Sequence, residues 1–385
     1  MNDKYLEEYK NQMYEYKRQL YKDHHLNSLF IEMTLRCNAR CEHCGSSCGD
    51  VIQKDEITKE EIYKVLEDIC NSGIYDPRKI MLNITGGEPL VRKDMFEILA
   101  YADRLGFPWG ITTNGMLIDE EVVKNMVKTH MYSVSVSIDG LKETHENFRK
   151  VPGSYEKILK GIELMMKEPS IKVVQVTTCV NKKNINELEE LYQLLLSKKV
   201  PYWRIVTVDP IGRAKDNDDI LLNGEEIKRM VRFIREKQIE NKMVVSYGCG
   251  HYFGFNMDYD IRNHPFICYT GVNVASILSN GDIFVCPDVK RLPELIQGNI
   301  RKDNFVEVWE KKFKIFRTMN RTCNKKCKAC SEWKLCGGDA LHTWDFEENK
   351  PLMCSKEYFK EDYRIQKELQ NRKKRQEARK KKKAK

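Results

Sequence analysis

Three cysteines at Cys37-x3-Cys41-x2-Cys44 follow directly on a short apolar segment, in Leu35-Arg-Cys37-Asn-Ala-Arg-Cys41-Glu-His43-Cys44. Thiolates are the usual protein ligands of iron–sulfur clusters. Three of them hold three irons of a [4Fe–4S] cube and leave the fourth iron open to a substrate or cofactor.

The chain has 14 cysteines among 385 residues. At this length, without the apolar core of a signal peptide at Met1-Asn-Asp-Lys-Tyr-Leu-Glu-Glu, they read as metal ligands rather than disulfides, and the expected compartment is the cytoplasm. Cys48, Cys70, Cys179 and Cys249 stand outside the clusters, and each by default is a small buried hydrophobe. No apolar run reaches the roughly 18 residues needed to cross a bilayer.

The net charge of +9 points towards nucleic acid only until it is located. Residues 371–385 hold ten Lys or Arg and one Glu, so the body of the chain is neutral. Such a run is ordinarily a solvated or frayed helical end, so a nucleic-acid partner is not expected. Residues 1–27 carry Tyr5, Tyr9, Tyr14 and Leu20 at roughly helical spacing, which predicts an exposed helix lying on the main body.

From Leu29 onward, short β-rich segments alternate with amphipathic helical ones. Strands are predicted at 29–34, 80–85, 109–113, 133–138, 172–179 and 203–208, and helices at 59–70, 94–105, 120–128, 154–167, 186–197 and 223–238. Such alternation implies an α/β fold with a parallel sheet and right-handed crossovers, closing as a partial (β/α)6 TIM-like barrel with its site at the carboxyl ends of the strands. The expected domains are an N-terminal helix (1–27), the barrel (28–240), a cysteine-rich cluster-binding extension (241–358) and a basic tail (359–385).

The second strand ends in Thr85-Gly86-Gly87-Glu88-Pro89, where two glycines allow close backbone approach and Glu88 offers an acceptor for an ammonium group. The third ends in Thr112-Thr113-Asn114-Gly115. The fourth ends in Ser137-Ile-Asp139-Gly140, with His145 and Arg149 following; a hydroxyl and a guanidinium meeting at one point hold a carboxylate. Together with the cysteine triplet, these motifs resemble the radical S-adenosylmethionine (SAM) enzymes, in which the residue before the third cysteine is commonly aromatic, as His43 is. The resemblance implies that Gly86, Gly87, Glu88 and Pro89 bind the SAM amino group, and that Ser137 and Arg149 contact its carboxylate. Thr113, Asp139 and Asn181 join the expected cofactor-binding set, and Pro210-Ile-Gly212-Arg-Ala resembles a segment near the nucleoside.

Beyond residue 240, Asn280-Gly281 between alternating apolar residues marks a hairpin between Cys268 and Cys286. Cys323-x3-Cys327-x2-Cys330-x5-Cys336 follows, and then Cys354. Alone, this end reads as a zinc ribbon, and with the basic tail as a metal-dependent nucleic-acid binder. Beside the barrel motifs it resembles a SPASM domain, which implies one or two auxiliary iron–sulfur clusters. Cys327, Cys330, Cys336 and Cys354 would ligate the distal cluster. The proximal one keeps Cys268 and Cys286 but has Ala340 where the family places a further cysteine, and Cys249 and Cys323 are the candidates to complete it. The resemblance implies reductive cleavage of SAM to a 5′-deoxyadenosyl radical that takes a hydrogen atom from a peptide or protein substrate, with flavodoxin or ferredoxin as reductant. The expected product is a cross-link or oxidised residue in a ribosomally made peptide. The alternatives are maturation of a folded protein, as in anaerobic sulfatase activation, and action on a small molecule or tetrapyrrole. No residue is assigned as general base; Asp209 and Asp288 are acidic residues near the predicted site loops.

Overall fold

The computed structural model describes residues 3–359 apart from 50–52, 216, 249, 263, 265, 319 and 320. Cys249 and the basic tail from 360 onward therefore lie outside the described residues. The chain opens with helix α1 (Asp3–Asp23) and then builds β1 (Ser28–Glu32), α2 (Lys59–Asn71), β2 (Met81–Thr85), α3 (Met95–Arg104), β3 (Trp109–Thr113), α4 (Glu120–Lys128) and β4 (Ser133–Ser137). Helices α5 (Lys142–Arg149) and α6 (Ser154–Met165) lead to β5 (Val173–Val180), α7 (Leu188–Ser197), β6 (Tyr202–Thr207), α8 (Gly224–Glu240) and β7 (Val244–Tyr247).

Local chemistry explains these elements. A capping box between Thr58 and Glu61 starts α2, which buries Ile62, Val65, Leu66 and Ile69 on one face. Asn223 and Glu226 do the same for α8, which buries Ile227, Met230, Val231 and Ile234. Strand β4 reads Ser-Val-Ser-Val-Ser, with Val134 and Val136 buried and the serines on the opposite face. The helices thus pack on the outer face, and the inner face of β4 is left polar.

Strands β1 to β7 are parallel and adjacent in order, so the expected partial barrel forms and stays open. It also extends further than anticipated. Strand β7 lies past residue 240 yet pairs with β6, and β8 (Val274–Ile277) pairs in parallel with the free edge of β1. The predicted hairpin, β8 with β9 (Asp282–Phe284), thereby joins the same ten-stranded sheet, which ends in β10 (Gly298–Asn299). A boundary at 240 thus falls inside one continuous sheet.

After β7 come α9 (Phe255–Arg262), α10 (Phe305–Lys311) and two short helices, α11 (Lys325–Lys328) and α12 (Trp333–Cys336). Helix α1 packs against α12, and Lys17 is buried in that contact, so α1 is not simply an exposed helix. Among the described residues no helix is long and apolar enough to cross a membrane.

Candidate functional site

The cysteine loop leaves β1 and is tied at both ends. Cys37 N donates to Gly49 O at 2.9 Å and Gly49 N to Leu35 O at 3.3 Å. Arg213, after β6, clamps its middle: Nε donates to Cys41 O at 2.7 Å, Nη1 to Cys48 O at 2.8 Å, and its amide to Cys44 O at 3.1 Å. Gly212 precedes it with φ +55°, and a Cβ there would lie 2.3 Å from the carbonyls of Cys44 and Gly45. The Pro210–Ala214 segment thus fastens the cysteine loop, a role its sequence did not reveal.

The glycines after β2 serve the same loop. Gly87 N donates to Thr34 O at 2.7 Å and Glu88 N to Arg36 O at 2.9 Å. A Cβ on Gly86 or Gly87 would lie 2.3 Å from Thr34 O or 2.2 Å from Arg36 O. The close approach that glycine permits here is to the backbone of the cysteine loop. Pro89 starts the short turn that follows.

The thiols of Cys37, Cys41 and Cys44 lie within electrostatic reach of one another. Burial pushes Cys37 up to about 11, with the charges of Glu88, Cys41 and Cys44 adding to it. Burial also raises Cys41, against the pull of Arg149. Cys44 is lowered instead, because Cys48 hydrogen-bonds to it through its side chain and its amide, the latter 3.3 Å from Sγ.

Glu88 is fully buried. Its carboxylate accepts from Thr113 Oγ1 at 2.8 Å, Asn114 N at 2.8 Å and Leu90 N at 3.1 Å, so it joins the ends of β2 and β3. Two carboxylate oxygens offer about four acceptor positions, so room remains for one more donor. Burial raises the pKa of Glu88 in spite of these bonds.

Arg149 donates to Asp139 Oδ2 from Nε at 2.8 Å and Nη2 at 2.6 Å, while Nη1 points at Cys41 Sγ, 3.8 Å away. Asp139 Oδ1 accepts from Cys179 N at 2.8 Å. Arg149 is thus anchored on Asp139 beside the cysteine loop, and Ser137 ends β4 half-buried. Asn181 is occupied locally: Nδ2 donates to Cys179 O and Oδ1 accepts from Lys183 N. The His43 ring stacks on Phe148 at 4.6 Å, and its buried Nδ1 has no hydrogen-bond partner among the described residues. Burial lowers His43 to about 4, so the ring is neutral at pH 7. One donor atom each of His43, Asp139 and Cys179 lie within 4.8 Å of one another. Three converging thiols, a neutral ring with a spare nitrogen and a carboxylate with spare capacity fit a cluster on Cys37, Cys41 and Cys44 with a polar cofactor beside it.

A row of inner-face residues runs across the sheet from there. Ser137 pairs in register with Thr177, Thr177 with Arg204, and Arg204 with Ser246. Trp203 faces outward, its indole against Tyr192 and Phe233, so Arg204 lies on the inner face. Arg204 is exposed, and among the described residues no carboxylate pairs with it.

In the cysteine-rich end, a cavity of 390 Å³ is lined by Cys327, Cys330, Cys336 and Cys354, the four thiols expected at the distal cluster, together with Tyr252 and Lys356. Lys356 Nζ lies 3.3 Å from Cys330 Sγ. Cys323, expected on the proximal side, is buried within electrostatic reach of Cys327. Cys286 follows β9, at the same end of the hairpin as the segment entering β8 from Cys268. Cys268 and Cys336, expected in different clusters, both pack against the buried cluster of Tyr252, Phe266 and Ala340 and accept from one turn: Asp339 N lies 3.2 Å from Cys336 Sγ and Leu341 N 3.4 Å from Cys268 Sγ.

A buried polar chain joins the two regions. Asp209, after β6, pairs with His251 at 3.0 Å and His342 at 3.2 Å, and His251 Nδ1 lies 3.5 Å from Asp339. Burial alone would lower His251, but Asp209 and Asp339 outweigh it and raise it to about 9.

A family model described as the radical SAM superfamily matches residues 31–195, and one described as an iron–sulfur cluster-binding domain, SPASM, matches 268–331. The AdoMet-dependent heme synthase of Methanosarcina barkeri is 29% identical over 341 residues, which cover 83% of this chain and 94% of that protein. The mycofactocin maturase MftC of Mycolicibacterium smegmatis is 24% identical over 313 residues, 80% of this chain and 76% of that one. The solved structure of native anSMEcpe with bound AdoMet superposes with a TM-score of 0.70 at 20% identity, covering 90% of this chain and 99% of the other.

Proposed function

We propose, from the premise that this chain belongs to the radical SAM superfamily and carries a SPASM domain, that it oxidises a carboxylate-bearing tetrapyrrole by hydrogen-atom abstraction. It is an enzyme whose cofactors are SAM and [4Fe–4S] clusters. When bound, they supply a 5′-deoxyadenosyl radical, made by one-electron cleavage of SAM.

The chain's own residues prepare for that chemistry. Cys37, Cys41 and Cys44 hold the cluster, and Gly87 and Arg213 fix the loop that carries them. Arg149 puts a positive charge beside the Cys41 sulfur and favours its thiolate form. We assign the spare acceptor of Glu88 to the SAM amino group and Ser137 to the SAM carboxylate, with Arg149 contributing charge from its place on Asp139.

The observation that carries the substrate reading is Arg204. An exposed cation that pairs with no carboxylate among the described residues, in one row with Ser137, suits a substrate that brings its own carboxylate. The similarity over 94% of a heme synthase supports the same class. The peptide reading stands second, supported by the likeness to the mycofactocin maturase.

The test uses anaerobically reconstituted protein, dithionite and SAM, with iron coproporphyrin III as the tetrapyrrole probe. We expect 5′-deoxyadenosine to form in proportion to a mass change in the porphyrin, and Cys37, Cys41 and Cys44 changed to Ala to abolish both while auxiliary iron remains. Active SAM cleavage with no mass change in this or other carboxylated tetrapyrroles would return the peptide reading to first place.

A further inference from the structure

Two cations at the auxiliary region, Lys17 and Arg321, pair with no carboxylate among the described residues. Lys17, on α1, is 4% exposed, and its Nζ donates to Leu335 O at 3.2 Å. Among the described residues it makes no ion pair with a carboxylate. Burial lowers it to about 8, and the two groups that draw it back up are Cys336 and Cys268. Arg321 lies within electrostatic reach of it, its guanidinium 5.0 Å from the Trp344 ring centre, with a buried Nη1 that has no hydrogen-bond partner among the described residues.

Both cations are admitted by Gly337 and Gly338, where φ is +66° and +96°. A Cβ at 337 would meet Lys17 Nζ at 2.7 Å, and one at 338 would meet Arg321 Nη1 at 3.0 Å. The same turn runs on through Asp339 and Ala340 and gives its amides to the sulfurs of Cys336 and Cys268. Burying a cation costs several kcal/mol unless a negative charge compensates. Neutral thiols do not supply that charge; thiolates on a metal cluster do.

We propose that Lys17 and Arg321 form a cationic cap over an auxiliary iron–sulfur cluster ligated in part by Cys268 and Cys336, and that the cap raises the cluster's reduction potential. Positive charge and amide hydrogen bonds at the sulfurs both favour the reduced state, which carries one more negative charge. Helix α1 thereby belongs to the redox machinery. The inference rests on iron–sulfur binding at the cysteine-rich end and is independent of the substrate.

The experiment takes the full chain with Cys37, Cys41 and Cys44 changed to Ala, so that auxiliary clusters alone give the electron paramagnetic resonance signal. Redox titration then compares Lys17→Met, Lys17→Arg and Arg321→Gln with the parent. Lys17→Met should make one auxiliary midpoint more negative by about tenfold in the reduction equilibrium, or about 59 mV for a one-electron couple. Arg321→Gln should move the same midpoint in the same direction, and Lys17→Arg should hold it. Equal midpoints in Lys17→Met and the parent, at equal iron content, would overturn the proposal. If Lys17→Met loses auxiliary iron, retention of iron and midpoint by Lys17→Arg supports the charge role, and loss in both refutes it. SAM cleavage in the otherwise wild-type chain is scored separately, so failure here leaves the radical chemistry standing.

Discussion

At the scale of single residues, the inner face of the barrel separates positioning groups from available ones. Glu88, Asp139, Arg149 and Asn181 are buried and already bonded to the protein, so they hold the site in shape before anything binds. Arg204 is the contrast, exposed on the inner face and unpaired among the described residues. A charge-assisted hydrogen bond is worth about 1.5–3 kcal/mol, so Arg204→Gln should raise KM for a carboxylated substrate by about 10- to 100-fold. Iron content and SAM affinity, measured on the same protein, should stay at the wild-type values. An unchanged KM would remove Arg204 from substrate binding.

At the scale of elements, local patterns carried the reading where local physics decides. Strand 109–113 and helix 120–128 lie where the sequence puts them, because the aromatic and β-branched residues of the one and the Asp119 cap of the other are local to each segment. Strand β7 was missed because its four residues are legible only beside β6. The clamp by Arg213 and the burial of Lys17 join residues far apart in sequence, and no periodicity records them. The Gly86-Gly87 motif lay between these cases: its position was legible, but the partner it approaches was not. That partner yields a prediction. A Cβ at 87 would sit 2.2 Å from Arg36 O, so Gly87→Ala must push the cysteine loop off the β2 end. Overpacking of this kind costs about 1–3 kcal/mol, and here the displaced backbone carries the cluster ligands. Iron analysis should show loss of the SAM-site cluster with auxiliary iron retained; full iron with normal SAM cleavage would show that the loop tolerates the shift.

At the scale of the whole molecule, the barrel and the cysteine-rich end are joined at several places, among them the Arg291–Glu32 and Arg301–Glu61 ion pairs, and two of these joints concern the site. In the first of these two, the sheet runs through both by way of β1 and β8. The second joint is the buried chain from Asp209 through His251 to Asp339, with His342 on the other oxygen of Asp209. Asp209 lies at the carboxyl end of β6, and Asp339 adjoins the turn that binds Cys336, so the chain holds the auxiliary region against the mouth of the barrel. Asp209 is held well below the usual carboxylate range, because the two imidazoles outweigh the effect of burial. Removing one partner of a buried charged pair costs about 3–5 kcal/mol, since the remaining charge is left uncompensated. Asp209→Asn keeps the shape and removes the charge. It should therefore lower the urea midpoint of the anaerobic holoprotein, followed by tryptophan fluorescence and by the visible absorbance of the clusters. The auxiliary absorbance should be lost at lower urea than in the wild type, because that region has then lost one of its joints to the barrel mouth. A midpoint equal to the wild type's would mean that the other joints suffice and that the His–Asp chain serves another purpose.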